Sequence, residues 1–218
     1  MEVLYEDNHL IIVNKKPGEI VQGDRTGDKT LAEKVKDYIK EKYNKPGAVY
    51  LGTTHRLDRP VSGAIIFAKT SKALTRLNAQ FQKKEIQKTY WALCLEKPYP
   101  ESGTLIHYLI KDSKKNKTSA FRRDRANSKK AELEYQFIKT KGRHYLVEVK
   151  PITGRPHQIR IQLSTIGCSI KGDLKYGAHF PNQDKSICLH SKEVSFIHPV
   201  SKEKVTVAAP LLNEKLWD

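Results

Sequence analysis

Between residues 131 and 149 the side chains alternate with a period of two, and this constrains the fold more than any other feature of the chain. Ala131, Leu133, Tyr135 and Phe137 are separated by Glu132, Glu134 and Gln136, and Tyr145, Val147 and Val149 alternate in the same way. An apolar residue at every second position lies on one face of an extended chain, so each segment reads as a strand with one buried face. Lys141-Gly142 falls between them, and adjacent strands joined by a short polar turn pair as an antiparallel hairpin. A chain carrying such a hairpin is not a regularly alternating parallel β/α protein.

The other elements agree. His9 to Val13 is an apolar run of strand length that stops before Pro17-Gly18 and reads as a buried strand. Thr30 and Glu33 form a capping box; Leu31, Val35, Ile39 and Tyr43 then recur at helical spacing until Pro46-Gly47. Ser71 is the expected cap of a second helix carrying Leu74, Leu77 and Phe81. Thr89 to Glu96 is apolar on both alternating faces, as in a central strand, and Thr104 to Ile110 is again strand-like. Ile159, Leu163 and Ile166, between Pro156 and Gly167, predict a short helix. Short strands follow around Ile187–His190, Val194–His198 and Val205–Ala208. The expected class is α+β, a mixed, mainly antiparallel sheet with flanking helices. At 218 residues the chain can bury one sizeable core, so 1–218 is expected to form one domain, at most divided into two lobes.

Forty Lys and Arg against 24 Asp and Glu leave a net charge of +16, and the pI is about 9.7. That surplus points to a polyanion as partner. It is densest from Lys111 to Lys130, where nine Lys/Arg, among them Lys114, Lys115, Lys117, Arg122 and Arg123, face two Asp, with Phe121 as the one large apolar side chain. Such a segment cannot bury itself and reads as a basic loop or hairpin, either a solvated charge run or a direct RNA contact. Cys94, Cys168 and Cys188 are odd in number and set among apolar neighbours, as reduced cysteines of a cytoplasmic protein are. No apolar run approaches the ~18 residues of a spanning helix, so no membrane association is expected. Nucleotide-phosphate loops, a G-x-S-x-G elbow, H-E-x-x-H and paired C-x-x-C are missing, and the eight His are scattered. Neither a metal nor a cofactor is expected, which leaves carboxylate chemistry.

Two polar clusters could carry it. From Thr54 to Thr70, His55, Arg56, Asp58 and Arg59 surround Leu57, Ser62-Gly63 breaks the chain, and the apolar run Ala64–Ala68 follows. A charged loop feeding a buried strand suits a catalytic carboxylate, because the strand holds the loop group accurately. The second cluster runs from Thr153 to Arg160, a Gly-Arg-Pro turn leading into a helix with Gln158 and Arg160. An arginine beside an aspartate holds the carboxylate ionised and oriented, which makes Arg160 the candidate partner of Asp58.

Together these clusters resemble the RluA-type pseudouridine synthase family. His55-Arg-Leu-Asp58 with Ser62-Gly63 is similar to its H-R-L-D-x-x-x-S-G motif, and Lys88-Thr-Tyr90 to its K-x-Y strand. Gly154-Arg-Pro-His-Gln-Ile-Arg160 is similar to its arginine motif, and Gly172-Asp173…Tyr176-Gly177 and Leu189-His190…His198-Pro199 to later signposts. The likeness runs in order from about Leu4 to Pro210. It implies a single catalytic domain with a central catalytic cleft that isomerises uridine to pseudouridine in tRNA or ribosomal RNA. Asp58 would be the catalytic residue, paired with Arg160. Tyr90 would stack on the flipped uracil, and Arg56 would fill the space the base leaves. His55, Arg155, Gln158 and the basic segment are expected to contact RNA. Many relatives carry an S4 RNA-binding domain, which is expected to be absent here, where eight residues precede the first strand; a monomer is expected. Arg59, Pro60 and Val61, where relatives often have an acidic residue and Thr, and Gln162, where they often have His, depart from the pattern and point to substrate choice. The alternative readings are a non-catalytic RNA-binding or RNA-folding module on the same fold, and a nucleoside glycosidase that releases uracil.

Overall fold

The computed structural model describes residues 1–23 and 27–217, which form two compact units. The first unit comprises Met1–Ile86 and Ser191–Pro210, the second Gln87–His190 and Leu211–Asp218.

In the first unit, β1 (Glu2–Glu6) pairs antiparallel with β2 (Leu10–Lys15), and β2 pairs antiparallel with β4 (Ser62–Ala68), to which the short β3 (Gly52–Thr53) is also attached. Beyond β4 comes β10 (Leu189–Ile197), whose register with β11 (Lys204–Ala208) is antiparallel. Every residue of β2 and β4 is buried, as the unbroken apolar runs require. One face, with Leu10, Ile12, Ala64, Ile66 and Ala68, packs with Ala73 and Leu77 of α2 (Ser71–Gln82) and with Val194 and Phe196 of β10. Helix α1 (Leu31–Lys42) begins with the expected reciprocal capping box: Glu33 N donates to Thr30 Oγ1 at 3.1 Å, and Thr30 N to Glu33 Oε2 at 2.7 Å. Its Leu31, Val35 and Ile39 are buried.

Helix α2 starts one residue earlier than expected. Thr70 is the cap, its Oγ1 accepting from Ala73 N at 3.2 Å, while Ser71 is exposed in the first turn. A hydroxyl residue stands at both positions, and only the extended backbone of Thr70 (φ −137°, ψ 151°) selects between them. The two short strands expected on either side of Ser191 are one continuous strand, β10. β1 was not marked by an apolar run, because it is a partly exposed strand at the sheet edge.

In the second unit the strand order is β5 (Gln87–Cys94), β9 (His144–Pro151), β8 (Lys129–Lys141), β6 (Ser102–Asp112) and β7 (Lys117–Phe121), with each neighbouring pair antiparallel. The alternating segments form the β8–β9 hairpin, with Leu133, Tyr135, Leu146, Val147 and Val149 buried. The basic segment is ordered as a hairpin, since β6 and β7 pair from Tyr108–Phe121 to Asp112–Lys117. Asp112 Oδ1 closes its turn by accepting from the amides of Lys114 (2.9 Å) and Lys115 (3.0 Å). Helix α3 (Gln158–Thr165) is followed by a 3-10 turn, Leu174–Tyr176.

Candidate functional site

Asp58 is half-buried in the loop between β3 and β4, and the strand after it is buried throughout. The loop is pinned from three sides. Asp58 O accepts from Val61 N at 3.0 Å, closing a tight turn, and Arg59 O accepts from Gly18 N at 2.8 Å. Thr54 Oγ1 donates to Ile66 O at 2.7 Å, and Ile66 N donates to His55 Nε2 at 3.1 Å. His55 is thus half-buried, its ring 5.2 Å from that of Phe81 and its acceptor nitrogen engaged with β4. The third support is Lys15. Its side chain is fully buried, and Nζ donates to Lys16 O (3.0 Å), Arg59 O (3.1 Å) and Val61 O (2.6 Å).

Burial brings the Lys15 ammonium down to a pKa of about 8, a shift opposed by the negative charges of Glu19 and Asp58. Between about pH 8 and its unfolded value of 10.5 the folded chain binds fewer protons at this group than the unfolded chain does. Stability therefore rises with pH through that window. Lys15→Met leaves three carbonyls without this donor and is expected to cost about 1–3 kcal/mol at pH 7. In urea unfolding the gap between the parent chain and Lys15→Met should widen from pH 8 to 10; a constant gap would rule out titration of Lys15 as the cause.

Arg56 is exposed, with Leu57 buried beside it. Arg59 is exposed as well and pairs with Asp28, Nη2 to Oδ2 at 2.7 Å.

In the second unit, Tyr90 is buried on β5 opposite Val149 of β9. Lys88, two positions earlier and so on the same face, has its pKa lowered by burial. Arg160 is buried on α3. Asp173 grips one edge of its guanidinium, Oδ2 accepting from Nε at 2.7 Å and Oδ1 from Nη2 at 2.8 Å, a bidentate pair that fixes the plane of the group. Gln158 is buried and used by the backbone: its Oε1 accepts from Thr153 Oγ1 (2.7 Å) and Arg155 N (2.9 Å), and its Nε2 donates to Glu132 O (3.0 Å). It shapes the Gly154-Arg155-Pro156 turn from inside. Arg155 is exposed, with Nε donating to Lys130 O at 3.1 Å. Gln162 is fully buried and donates from Nε2 to Leu105 O at 3.0 Å, which ties α3 to β6. Lys114, Lys115, Lys117, Arg122 and Arg123 are all exposed along the basic hairpin.

Among the described residues no group of three or more His, Cys, Asp or Glu side chains is arranged to hold a metal ion, and no helix is long and apolar enough to cross a membrane. Sequence reasoning did not assign a role to Lys15, which reads as one more polar residue after an apolar strand, or to Asp173, which was visible only as part of a signpost motif.

The sequence pattern of the RNA pseudouridylate synthase family matches residues 9–165. The chain belongs to that family. Among its curated relatives is the ribosomal large subunit pseudouridine synthase C of Vibrio cholerae, 32% identical over 217 residues, which are 96% of this chain and 65% of the relative. The tRNA pseudouridine synthase C of Haemophilus influenzae is 29% identical over 232 residues, covering 97% of this chain and 93% of the relative. The chain thus spans slightly less than two thirds of the Vibrio cholerae relative. The pseudouridylate synthase fold is also seen in the solved structure of human RNA pseudouridylate synthase domain containing 4, with a TM-score of 0.81 at 23% identity over 99% of this chain and 90% of the human one. The α+β class and the mainly antiparallel sheet are those of the pseudouridylate synthase fold.

Proposed function

We propose that the chain is an RNA pseudouridine synthase that isomerises uridine to pseudouridine in tRNA or ribosomal RNA, with Asp58 as the catalytic residue. The observation that carries this reading is a half-buried carboxylate on a loop pinned at its backbone, within a motif of the RNA pseudouridylate synthase family. The C–N glycosidic bond breaks, the uracil turns in place, and C5 is rejoined to the ribose. Two routes are open to a carboxylate here: attack at the anomeric carbon, as in retaining glycosidases, or removal of a ribose proton. Arg160 is the partner assigned to the Asp58 carboxylate in this reading; the fixed plane of its guanidinium, held by Asp173, supports that role. Tyr90 stacks on the flipped uracil, and Arg56, which is exposed, fills the gap that flipping leaves, offsetting the few kcal/mol that unstacking costs. Water has to be kept from the reacting bond, since hydrolysis competes with rejoining.

RNA is held by charge. The +16 surplus, Arg155 and the exposed lysines and arginines of the β6–β7 hairpin supply it. His55 acts through the loop it holds, its Nε2 accepting from Ile66 N, and Gln158 acts through the turn it shapes. The two relatives' names cover both RNA classes, and the modified position is found by mapping pseudouridines in total RNA from cells with and without the gene. A site lost with the gene and restored by the purified chain, without loss of mass, supports the assignment; release of free uracil during turnover overturns it in favour of a glycosidase.

Counterion release makes RNA affinity fall steeply with salt. Replacing Lys114, Lys115, Lys117, Arg122 and Arg123 by Ala is expected to weaken binding and to reduce the slope of log Kd against log salt by up to about 4. Titrations between low and physiological salt measure it, and an unchanged slope would make the hairpin a solvated surface only.

A further inference from the structure

We propose that Tyr176 is a positioning residue that ties the guanidinium of Arg160 to the basic β6–β7 hairpin, so that the hairpin holding RNA and the catalytic arginine move as one body. This rests on the role of Arg160 proposed above.

Tyr176 lies in the 3-10 turn, is buried, and contacts both sides. Its ring stands 5.0 Å from Arg160 Cζ, and Asp173, three residues before it, supplies both carboxylate oxygens to the same guanidinium. Its hydroxyl oxygen accepts from Thr118 N of β7 at 2.8 Å. Because that oxygen is already accepting, the phenolic hydrogen is available to His157 Nδ1, 2.7 Å away. The hairpin is held at further points by this turn and by the residues before α3: Lys175 Nζ donates to Asn116 O at 2.7 Å, Lys117 Nζ lies 6.0 Å from the Tyr176 ring centre, and Thr118 Oγ1 donates to Pro156 O at 3.1 Å.

His157 supplies an independent sign of constraint. It precedes the first residue of α3 and has φ 55°, ψ 20°, a left-handed conformation, with its side chain capping nothing in the helix. A non-glycine residue held there costs about 1–2 kcal/mol, and it persists only where the surroundings enforce it. Here its ring is turned to the Tyr176 hydroxyl, at an interplanar angle of 82°. One hydroxyl therefore joins β7, the start of α3 and, through the ring above it, Arg160. The tip of the hairpin beside Thr118 carries Lys114, Lys115 and Lys117, the charges expected to meet the phosphates.

Tyr176→Phe removes only the hydroxyl and keeps the ring beneath Arg160. Pseudouridine formation is measured under single-turnover conditions on unmodified total RNA from cells lacking the gene, with the full chain in increasing excess. The expected result is a saturating rate lower by about tenfold or more, with the half-saturating protein concentration changed by less than about threefold. In an Arg160→Lys background the same substitution should add little, because a residue acting through Arg160 has nothing left to position. An unchanged saturating rate, a change in half-saturation alone, or full additivity with Arg160→Lys overturns the proposal. If Tyr176→Phe does not fold, His157→Asn, which tolerates the left-handed conformation, is put to the same three readings. A parent chain that forms no pseudouridine on any RNA overturns the proposed function itself, and is seen before any variant is compared.

Discussion

Asp58→Asn is expected to abolish pseudouridine formation, lowering the single-turnover rate by at least about 10⁴-fold, while RNA affinity stays within about threefold of the parent. The substitution keeps the shape of the side chain and removes its charge and basicity, which both chemical routes require. The fold around it should persist, because the turn is held through its main-chain carbonyls: Asp58 O accepts from Val61 N, and Arg59 O and Val61 O accept from Lys15 Nζ. Quantifying pseudouridine alongside a binding titration separates the outcomes. Retained activity would move the chemistry to another residue, and lost binding would make Asp58 a structural group. The module reading, in which the fold binds RNA without chemistry, requires Asp58→Asn to be silent.

The second large effect is on folding. Gly63 has φ +111°, and a Cβ placed there would meet the backbone of Ser191, 2.5 Å from its N and 2.8 Å from its carbonyl carbon, as well as its O. Backbone of a central strand cannot step aside as a side chain can. Gly63→Ala is therefore expected to lose about 3 kcal/mol or more, enough to leave much of the chain unfolded at 37 °C. Gly18→Ala is the internal control: its φ is +85°, but nothing lies within 4 Å of the added carbon, so only the conformational penalty of about 1–2 kcal/mol applies. Urea unfolding of the two variants measures the difference, and equal losses would show that close approach to β10 contributes nothing.

Much of the scaffold was legible because local signals and packing agree. The capping box at Thr30 and Glu33, the alternation of residues 131–149 and the unbroken apolar run before Lys69 each specify an element without outside help, and each is found. The basic segment was ambiguous because β7 has few apolar residues of its own. It becomes a strand through main-chain pairing with β6 and through the hydrogen bond from Thr118 N to Tyr176, which a period-based reading cannot register. Gln158 shows the limit for site residues: the sequence places it on α3, where it is found, but its hydrogen bonds turn it inward to the Thr153–Arg155 turn and to Glu132 O.

By itself the sequence determined the α+β class, the family and the loop that carries Asp58, because periodicity, turn residues and ordered motifs are local properties of the chain. The tertiary structure alone decided what supports that loop and which carboxylate grips Arg160. Lys15 reaches carbonyls 44 and 46 positions away, and Tyr176 OH meets an amide 58 positions before it. A buried ammonium or phenol must find its partners wherever the folded backbone presents them, since leaving such a group unpaired costs more than any local preference supplies. Those partners are separated in sequence, so no reading of neighbours along the chain could have named them.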